Sequence, residues 1–487
     1  LRGTIRGISL FVIEGINDLK TLSDVIGGEL FSNNEPFTGI TTDSREEVNG
    51  AVYLALKGES FDGDIFCKDA IDNGSIAVIT DNPETLGRFI LVKDTYDALL
   101  KIASHHHKQI NPKTIAITGS NGKTSVKEMM GKILDSDKTV ITKSNENNQF
   151  GIPYTILRCK SSTENLVLEC GARHDGDFKK IAEHFEFDQL VITNINNSHV
   201  GIFGSVKNII RTKLELIKAV KDSGNIIEAA FKDLSKNREL SSKTNEIKLY
   251  DVNDLDLKTT WVYHCERDHD LNEKYLISLN SKKENKQIKF EASIEHNCIN
   301  AVISSLTLSQ FGYDFDQSMK DLSGFNNPLK NRFHIHKISD YLVIDDTYNA
   351  NPTSMQSAMK TINDWNDERG RVVILGDMYD LGDHASEEHK KVIDYALRMN
   401  KLRKLILVGD KFKQEINEFS EKEREKIVQI QNKVDDFPFT ELIRESTKKS
   451  KGVVHRYFKS EGAIVLIKGS RAMKMERFVE SIMKYLQ

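Results

Sequence analysis

The sequence has no apolar run near the roughly 20 residues needed to cross a bilayer, so no membrane-spanning helix is expected. The early stretch Ile8–Ile13 is too short for a signal-peptide core, and Glu14 ends it. Cysteine is scarce. Cys67, Cys159, Cys170, Cys265 and Cys298 are scattered without paired spacing, which excludes a disulfide framework and a zinc signature. That usage reads as a reducing cytoplasm. Neither sign of charge dominates: 68 basic and 72 acidic residues leave a formal net charge of −4. A mildly acidic surface serves neither nucleic acid nor an anionic membrane, so neither is an expected partner. Internal repeats and low-complexity segments are also absent.

What is present suits a globular protein with ordinary cores, at 39% hydrophobic and 29% charged residues. At about 150 residues per domain, 487 residues imply about three. Residues 1–110 alternate short apolar runs with turns, and Ala51–Leu56 and Ile76–Thr80 read as strands. A helix over Asp94–Gln109 is broken by Asn111-Pro112, which marks the first boundary. From 111 to 328, strands at Thr114–Thr118, Leu166–Glu169 and Leu190–Asn194 alternate with helical stretches, the mark of a parallel sheet. The polar stretch 236–291 is strand-like without a readable motif, and Cys298–Phe311 reads as a helix. From 329 to 487, apolar strands at Tyr341–Asp345, Val372–Leu375, Leu405–Val408 and Ile464–Ile467 each run into a polar or glycine loop. That is a doubly wound, Rossmann-like α/β domain, whose ligands bind beyond the carboxyl ends of the strands. The charge-laced stretch Glu421–Lys433 reads as a solvated helix. The whole is expected to be α/β and monomeric.

The sharpest motif is TGSNGKTS, comprising Thr118, Gly119, Ser120, Asn121, Gly122, Lys123, Thr124 and Ser125. It follows a strand and opens a helix, the setting of a phosphate loop. The glycines let backbone N–H groups turn toward a phosphate, and the helix presents its positive end there. Lys123 would reach the outer phosphates and Thr124 would place its hydroxyl on magnesium. Ile117 stands where the eight-residue pattern has glycine, so this is the shorter TGxxGKT form. Glu169, Asn194 and His199 follow neighbouring strands, where a magnesium–nucleotide site would be completed.

Lys213 lies on the apolar face of an expected helix Lys207–Lys221, with Ile209, Ile210, Leu216 and Ile217 three or four residues away. Periodicity alone favours a snorkelling stem with its ammonium in water. The alternative is a reactive lysine neutralised by burial. His296-Asn297 would face a nucleotide base or cap a helix; both readings stand. Arg332 and Asp346 flank the first strand of the third domain and would hold phosphate and ribose. Lys468, Ser470 and Arg471 form a small basic loop suited to a carboxylate. His105–His107 has the look of a metal cluster, but its neighbours are merely polar.

Together with these, TDSR (Thr42–Arg45), LKGESFDG (Leu56–Gly63), NENNQFGIP (Asn145–Pro153), LECGA (Leu168–Ala172), TNINNSH (Thr193–His199), TKLE (Thr212–Glu215), HNCINA (His296–Ala301), DDTYNANP (Asp345–Pro352), LGDMYDLG (Leu375–Gly382) and KGSR (Lys468–Arg471) make the chain resemble the Mur ligase family over nearly its whole length. The last motifs resemble the member that completes the pentapeptide of a cell-wall precursor. The resemblance implies ADP-forming, ATP-dependent joining of D-alanyl-D-alanine to UDP-MurNAc-tripeptide through an acyl phosphate. It implies a first domain for the UDP-sugar, a central ATPase and a third domain closing over the nucleotide. It also implies two magnesium ions held by Thr124, Glu169 and His199, with Lys213 carbamylated by CO2, and nucleotide contacts from Asn297, Arg332 and Asp346. Substrate contacts would come from Ser44, Arg45, Lys57, Asn147, Asn148, Asn349, Asn351 and the KGSR loop. Departures are Asn196-Asn197-Ser198 before the histidine, Leu214 after the lysine, and no glycine before Asn145. A phosphate-loop switch is the rival from another class, and it has no use for so loop-rich a third domain.

Overall fold

Strands buried on both faces must be apolar throughout, and this decides the architecture. The computed structural model describes residues 10–46, 49–58, 61–195, 200–229, 246–251, 257–267, 274–281, 284–292, 294–325, 331–430 and 462–486. Three sheets carry it. The first has five short strands in the spatial order Glu29–Phe31, Phe89–Leu91, Ala77–Thr80, Val52–Leu54, Ile40–Thr41, parallel except for the first pair. The helix Thr95–Ile110 follows it. Asp94 caps that helix by accepting from Tyr96 N, and Asn111 ends it with a left-handed φ of 49° just before Pro112.

The central sheet has nine strands. Its parallel part runs Thr139–Ile141, Asn165–Glu169, Lys113–Thr118, Phe187–Ile192, Val220–Ala229 in space. Lys113–Thr118 is buried from its second residue onward. Alternate side chains enter different cores: Ala116 joins the Thr95–Ile110 side, while Ile115 and Ile117 pack with the helices Lys123–Ile133 and Glu295–Ser309. The sheet continues antiparallel through Glu246–Asp251, Leu257–Arg267, Lys274–Asn280 and Asn285–Glu291, which are the strand-like part of 236–291. The last of these alternates between exposed odd-numbered positions and better-covered even-numbered ones, Lys286, Ile288 and Phe290, as a half-solvated strand should.

The third sheet has the order His334–Ile338, Tyr341–Asp346, Ala463–Lys468, Gly370–Gly376, Leu402–Val408, Ile427–Ile430, parallel except for the first pair. The four expected strands are there, with one more at each edge. Two helix expectations need correction. Lys207–Lys221 is a helix only over Val206–Leu214; a 3-10 turn Glu215–Ala219 follows, and Val220 opens a strand beside Phe187–Ile192. Glu421–Lys433 is helical only over Glu421–Arg424, after which Ile427–Ile430 pairs with Leu405–Val408; 431–433 lie outside the described residues. In both places a sheet edge offering backbone partners overrides local helix propensity. Among the described residues no helix is long and apolar enough to cross a membrane.

Candidate active site

The strand Lys113–Thr118 delivers its last residue into the TGSNGKTS loop, and Gly122 with φ 83° caps the helix Lys123–Ile133. Glycine is obligatory at two points. A Cβ on Gly119, whose φ is 144°, would lie 2.0 Å from Thr193 Oγ1, and one on Gly122 would lie 2.8 Å from Asn300 Oδ1. Thr193 and Asn194 latch the loop. Ser120 N donates to Asn194 O and Asn121 N to Asn194 Oδ1, both at 2.9 Å, while Thr193 Oγ1 and Asn194 Nδ2 donate to Asn121 O at 2.6 and 3.0 Å. The loop is thus built before any ligand arrives.

Lys123 folds over its own loop, donating to Gly119 O at 2.7 Å and Ser120 O at 3.4 Å. Burial lowers its pKa, with Glu169 pulling the other way. Thr124 Oγ1 donates to Glu169 Oε1 at 3.1 Å, and Asn147 Nδ2 donates to the same oxygen at 2.7 Å. Glu169 is 2% exposed, and its Oε2 accepts no hydrogen bond from the described residues. A buried carboxylate oxygen without a donor beside a threonine hydroxyl is a hard-oxygen site that fits magnesium.

Lys213 is 5% exposed, so the snorkelling reading is wrong. Its Nζ donates to Gly119 O at 3.2 Å, the carbonyl that also accepts from Lys123. Burial, then the neighbouring Lys123, pulls its pKa from 10.5 to about 7. No carboxylate among the described residues pairs with it. His199, expected beside it, lies outside the described residues, as do Asn196, Asn197 and Ser198.

The facing wall comes from the third sheet. Arg332 donates to Thr124 Oγ1 at 3.0 Å while its guanidinium stacks 3.9 Å from the Tyr348 ring centre. Asp346 pairs with Lys468 at 2.6 Å and accepts from Phe333 N, and its pKa is raised by burial against the pull of Lys468. Lys468, 3% exposed, also donates to Asn349 O. Its ammonium is therefore committed to Asp346 rather than offered to a ligand. Asn351 caps the helix Pro352–Asn363 and reaches across to donate to Asn121 Oδ1 at 2.9 Å. Ser470 Oγ accepts from Tyr379 N, Arg471 pairs with Glu476, and Arg471 N approaches Asn349 Oδ1.

Other expected residues are employed locally. Asn297 N donates to Ile294 O in the first turn of Glu295–Ser309, and His296 contacts Ser357 Oγ at 3.1 Å. Asn148 Oδ1 accepts from Phe150 N and Gly151 N at the start of the helix Gly151–Leu157. Ser44 O accepts from Asn73, Arg45 pairs with Asp43, and Lys57 pairs with Asp81 at 2.6 Å, all around the first sheet. His106 and His107 are buried and bonded to Cys159 O and Thr114 Oγ1, and no metal-holding cluster occurs among the described residues. Sequence reasoning missed Lys127, 0% exposed beneath the loop, and Thr142, whose Oγ1 accepts from Glu169 N.

Three family models match in succession: the Mur ligase family catalytic domain over 36–138, the Mur ligase middle domain over 117–308, and the Mur ligase glutamate ligase domain over 331–471. The chain belongs to the Mur ligase family. Within it, the chain is 29% identical over 489 residues to the UDP-N-acetylmuramoyl-tripeptide–D-alanyl-D-alanine ligase of Bacillus subtilis, covering 96% of this chain and 98% of that one. The same-named ligase of Haemophilus influenzae is 29% identical, over 95% of this chain and 97% of its own. A solved MurF from Acinetobacter baumannii superposes with a TM-score of 0.78 at 26% identity, covering 96% of this chain and 98% of that chain.

Proposed function

We propose that this Mur ligase joins D-alanyl-D-alanine to UDP-MurNAc-tripeptide at the expense of ATP, giving ADP and phosphate. The observation that carries the reading is the convergence on one phosphate loop of Lys123, Thr124 and Glu169 from one wall and Arg332 and Asn351 from the other. The full-length relatives of that name supply the substrates.

In this reading 1–110 binds the UDP-sugar through Ser44, Arg45 and Lys57, 111–328 binds ATP, and 329–487 closes over it and receives the dipeptide. The tripeptide's terminal carboxylate attacks the γ-phosphorus, the bond to the bridging oxygen of ADP breaks, and an acyl phosphate results. The dipeptide amine then attacks the acyl carbon, loses a proton, and phosphate leaves. Lys123, released from Gly119 O, holds the outer phosphate oxygens together with the loop N–H groups. Arg332 adds charge from the closing side, Asp346 holds the ribose and Asn297 the base. Asn147 and Asn148 approach the tripeptide; Asn349, Ser470 and Arg471 approach the dipeptide, with Lys468 fixing Asp346 and Asn349. Thr124, Glu169 and His199 would hold magnesium, which when bound would neutralise charge on the phosphates.

Lys213 is read as the site of a carbamate. An amine with a pKa near 7, enclosed with no carboxylate partner among the described residues, is available to CO2 at neutral pH. The resulting anion would sit against Lys123 and orient the second metal ligand set. Closure of the two walls keeps water from the acyl phosphate.

The test is phosphate release across a panel of UDP-MurNAc-peptides and dipeptide amines. Release is expected only when acid and amine are both present, with ADP as product. AMP and pyrophosphate, or release without the amine, overturns the reading.

A further inference from the structure

Lys127 has no part in the chemistry above, yet its side chain is fully enclosed. It sits one helical turn beyond Lys123. A buried ammonium is expensive unless its donors and its charge are both answered. Nζ donates to Thr142 O at 2.7 Å and pairs with Glu128 at 2.7 Å. It also faces Glu169 Oε2 at 3.9 Å. That distance is too long for a hydrogen bond and short enough for a strong Coulombic pull in a site with little water.

Glu169 shows what the pull is for. Its Oε1 is occupied by Thr124 and Asn147, and its backbone N is bonded to Thr142 Oγ1. Thr142 thus contacts both Lys127 and Glu169, which fixes the spacing between them. Oε2 takes no hydrogen bond among the described residues. Had Lys127 approached to hydrogen-bonding distance, it would have used that oxygen up. Had it been absent, a carboxylate 2% exposed would have felt the charge of Lys123 but had no ion-pair partner within 4 Å among the described residues. At 3.9 Å it supplies the charge and leaves the lone pairs open.

We propose that Lys127 is a positioning residue that holds Glu169 with Oε2 open to a hard cation beside Thr124. The inference rests on the reading of Glu169 as a magnesium ligand. A residue that only tied the loop helix to Thr142 would matter to stability and not to metal affinity.

The experiment measures Mn2+ binding to the full-length protein saturated with ADP, by electron paramagnetic resonance of free Mn2+, with thermal unfolding of the metal-free chain alongside. Lys127→Met is expected to stay folded and to bind Mn2+ on the order of tenfold or more weakly, the size of loss usual for an outer partner of a metal ligand. Lys127→Gln keeps a donor for Thr142 O while removing the charge. It should weaken Mn2+ similarly, and it carries the test if the methionine variant does not fold. Affinity within about twofold of the parent in a folded, charge-free variant overturns the proposal. Glu169→Gln, measured in parallel, separates the two ideas. If it too binds Mn2+ normally, the metal assignment itself has failed; if it alone is weakened, only the role of Lys127 has.

Discussion

The two walls of the site are built in different ways. On the central wall, the phosphate loop is locked by Thr193 and Asn194 of the same sheet, so these bonds do not depend on the third domain. On the facing wall, Asp346, Lys468 and Asn349 hold one another, and the wall reaches across through Arg332 to Thr124 and Asn351 to Asn121. The N–H of Gly201, in the short helix Val200–Phe203, donates to Asp380 O and joins them as well. Each wall is held together by bonds of its own. On the proposed reading, one binds phosphate by preorganisation and the other contributes by closing on it.

The largest effect should come from breaking the preorganised wall. Lys123→Ala removes the charge that the proposed reading assigns to the outer phosphates and should lower ATP turnover by at least about 10²–10³-fold, with UDP-sugar binding retained. Near-normal turnover would remove the phosphate-loop assignment.

Lys213→Ala acts on the same wall and should cost on the order of 10²-fold in rate while the chain stays folded, with partial rescue by acetate or another short carboxylate. Failure of rescue with activity falling only in step with stability would favour a packing role. A second handle is pH. Because the folded pKa of Lys213 is near 7 against 10.5 when exposed, the folded chain binds fewer protons than the unfolded one between those values. Stability of the ligand-free, CO2-free protein should therefore rise with pH across roughly 7 to 10 by up to about 1.4 kcal/mol per unit. Lys213→Met should remove much of that rise, leaving the part due to Lys123, which is shifted the same way. Denaturant unfolding at several pH values reads it directly.

Arg332→Ala breaks the arriving wall instead. It should raise the KM for ATP by about tenfold, the worth of a hydrogen bond from a charged group, and leave UDP-sugar binding unchanged. Small-angle scattering should show the parent contracting with an ATP analogue plus UDP-sugar and the variant contracting less. An unchanged radius of gyration in the parent, with binding verified, would argue against closure.

The preorganised wall was also the more legible one. TIAIT is buried along its whole length in the middle of the central sheet, and TGSNGKTS carries its geometry in its glycines. What periodicity cannot say is what covers a face. It placed Lys213 correctly on the apolar side, yet the cover is the phosphate loop itself, far away in sequence. Lys127 was invisible for the same reason, since Thr142 and Glu169 come from other strands. Lys468 read as a free cation because Asp346, 122 positions earlier, is brought beside it only by the pairing of Tyr341–Asp346 with Ala463–Lys468. The two helix ends at Leu214 and Arg424 were overrun in the reading because the strands that follow are chosen by their neighbours in the sheet.

The smallest expected effect separates building from arriving within one residue. Asn351 performs two tasks: its Oδ1 accepts from Ser354 N to cap Pro352–Asn363, and its Nδ2 donates to Asn121 across the walls. Serine is as good a helix cap as asparagine but too short to make the crossing contact. Asn351→Ser should leave unfolding of the chain within about 0.5 kcal/mol of the parent and weaken ligand-driven closure by about 1 kcal/mol, roughly fivefold in the apparent affinity for the ATP analogue. Asn351→Ala should lose both, with about 1 kcal/mol of stability gone as well. Asn121→Ala should mimic the serine variant in affinity, and the double variant Asn121→Ala/Asn351→Ser should be no worse than either alone, because both remove the same bond. Additive losses would mean that the crossing contact is incidental and that the two residues touch ligand separately.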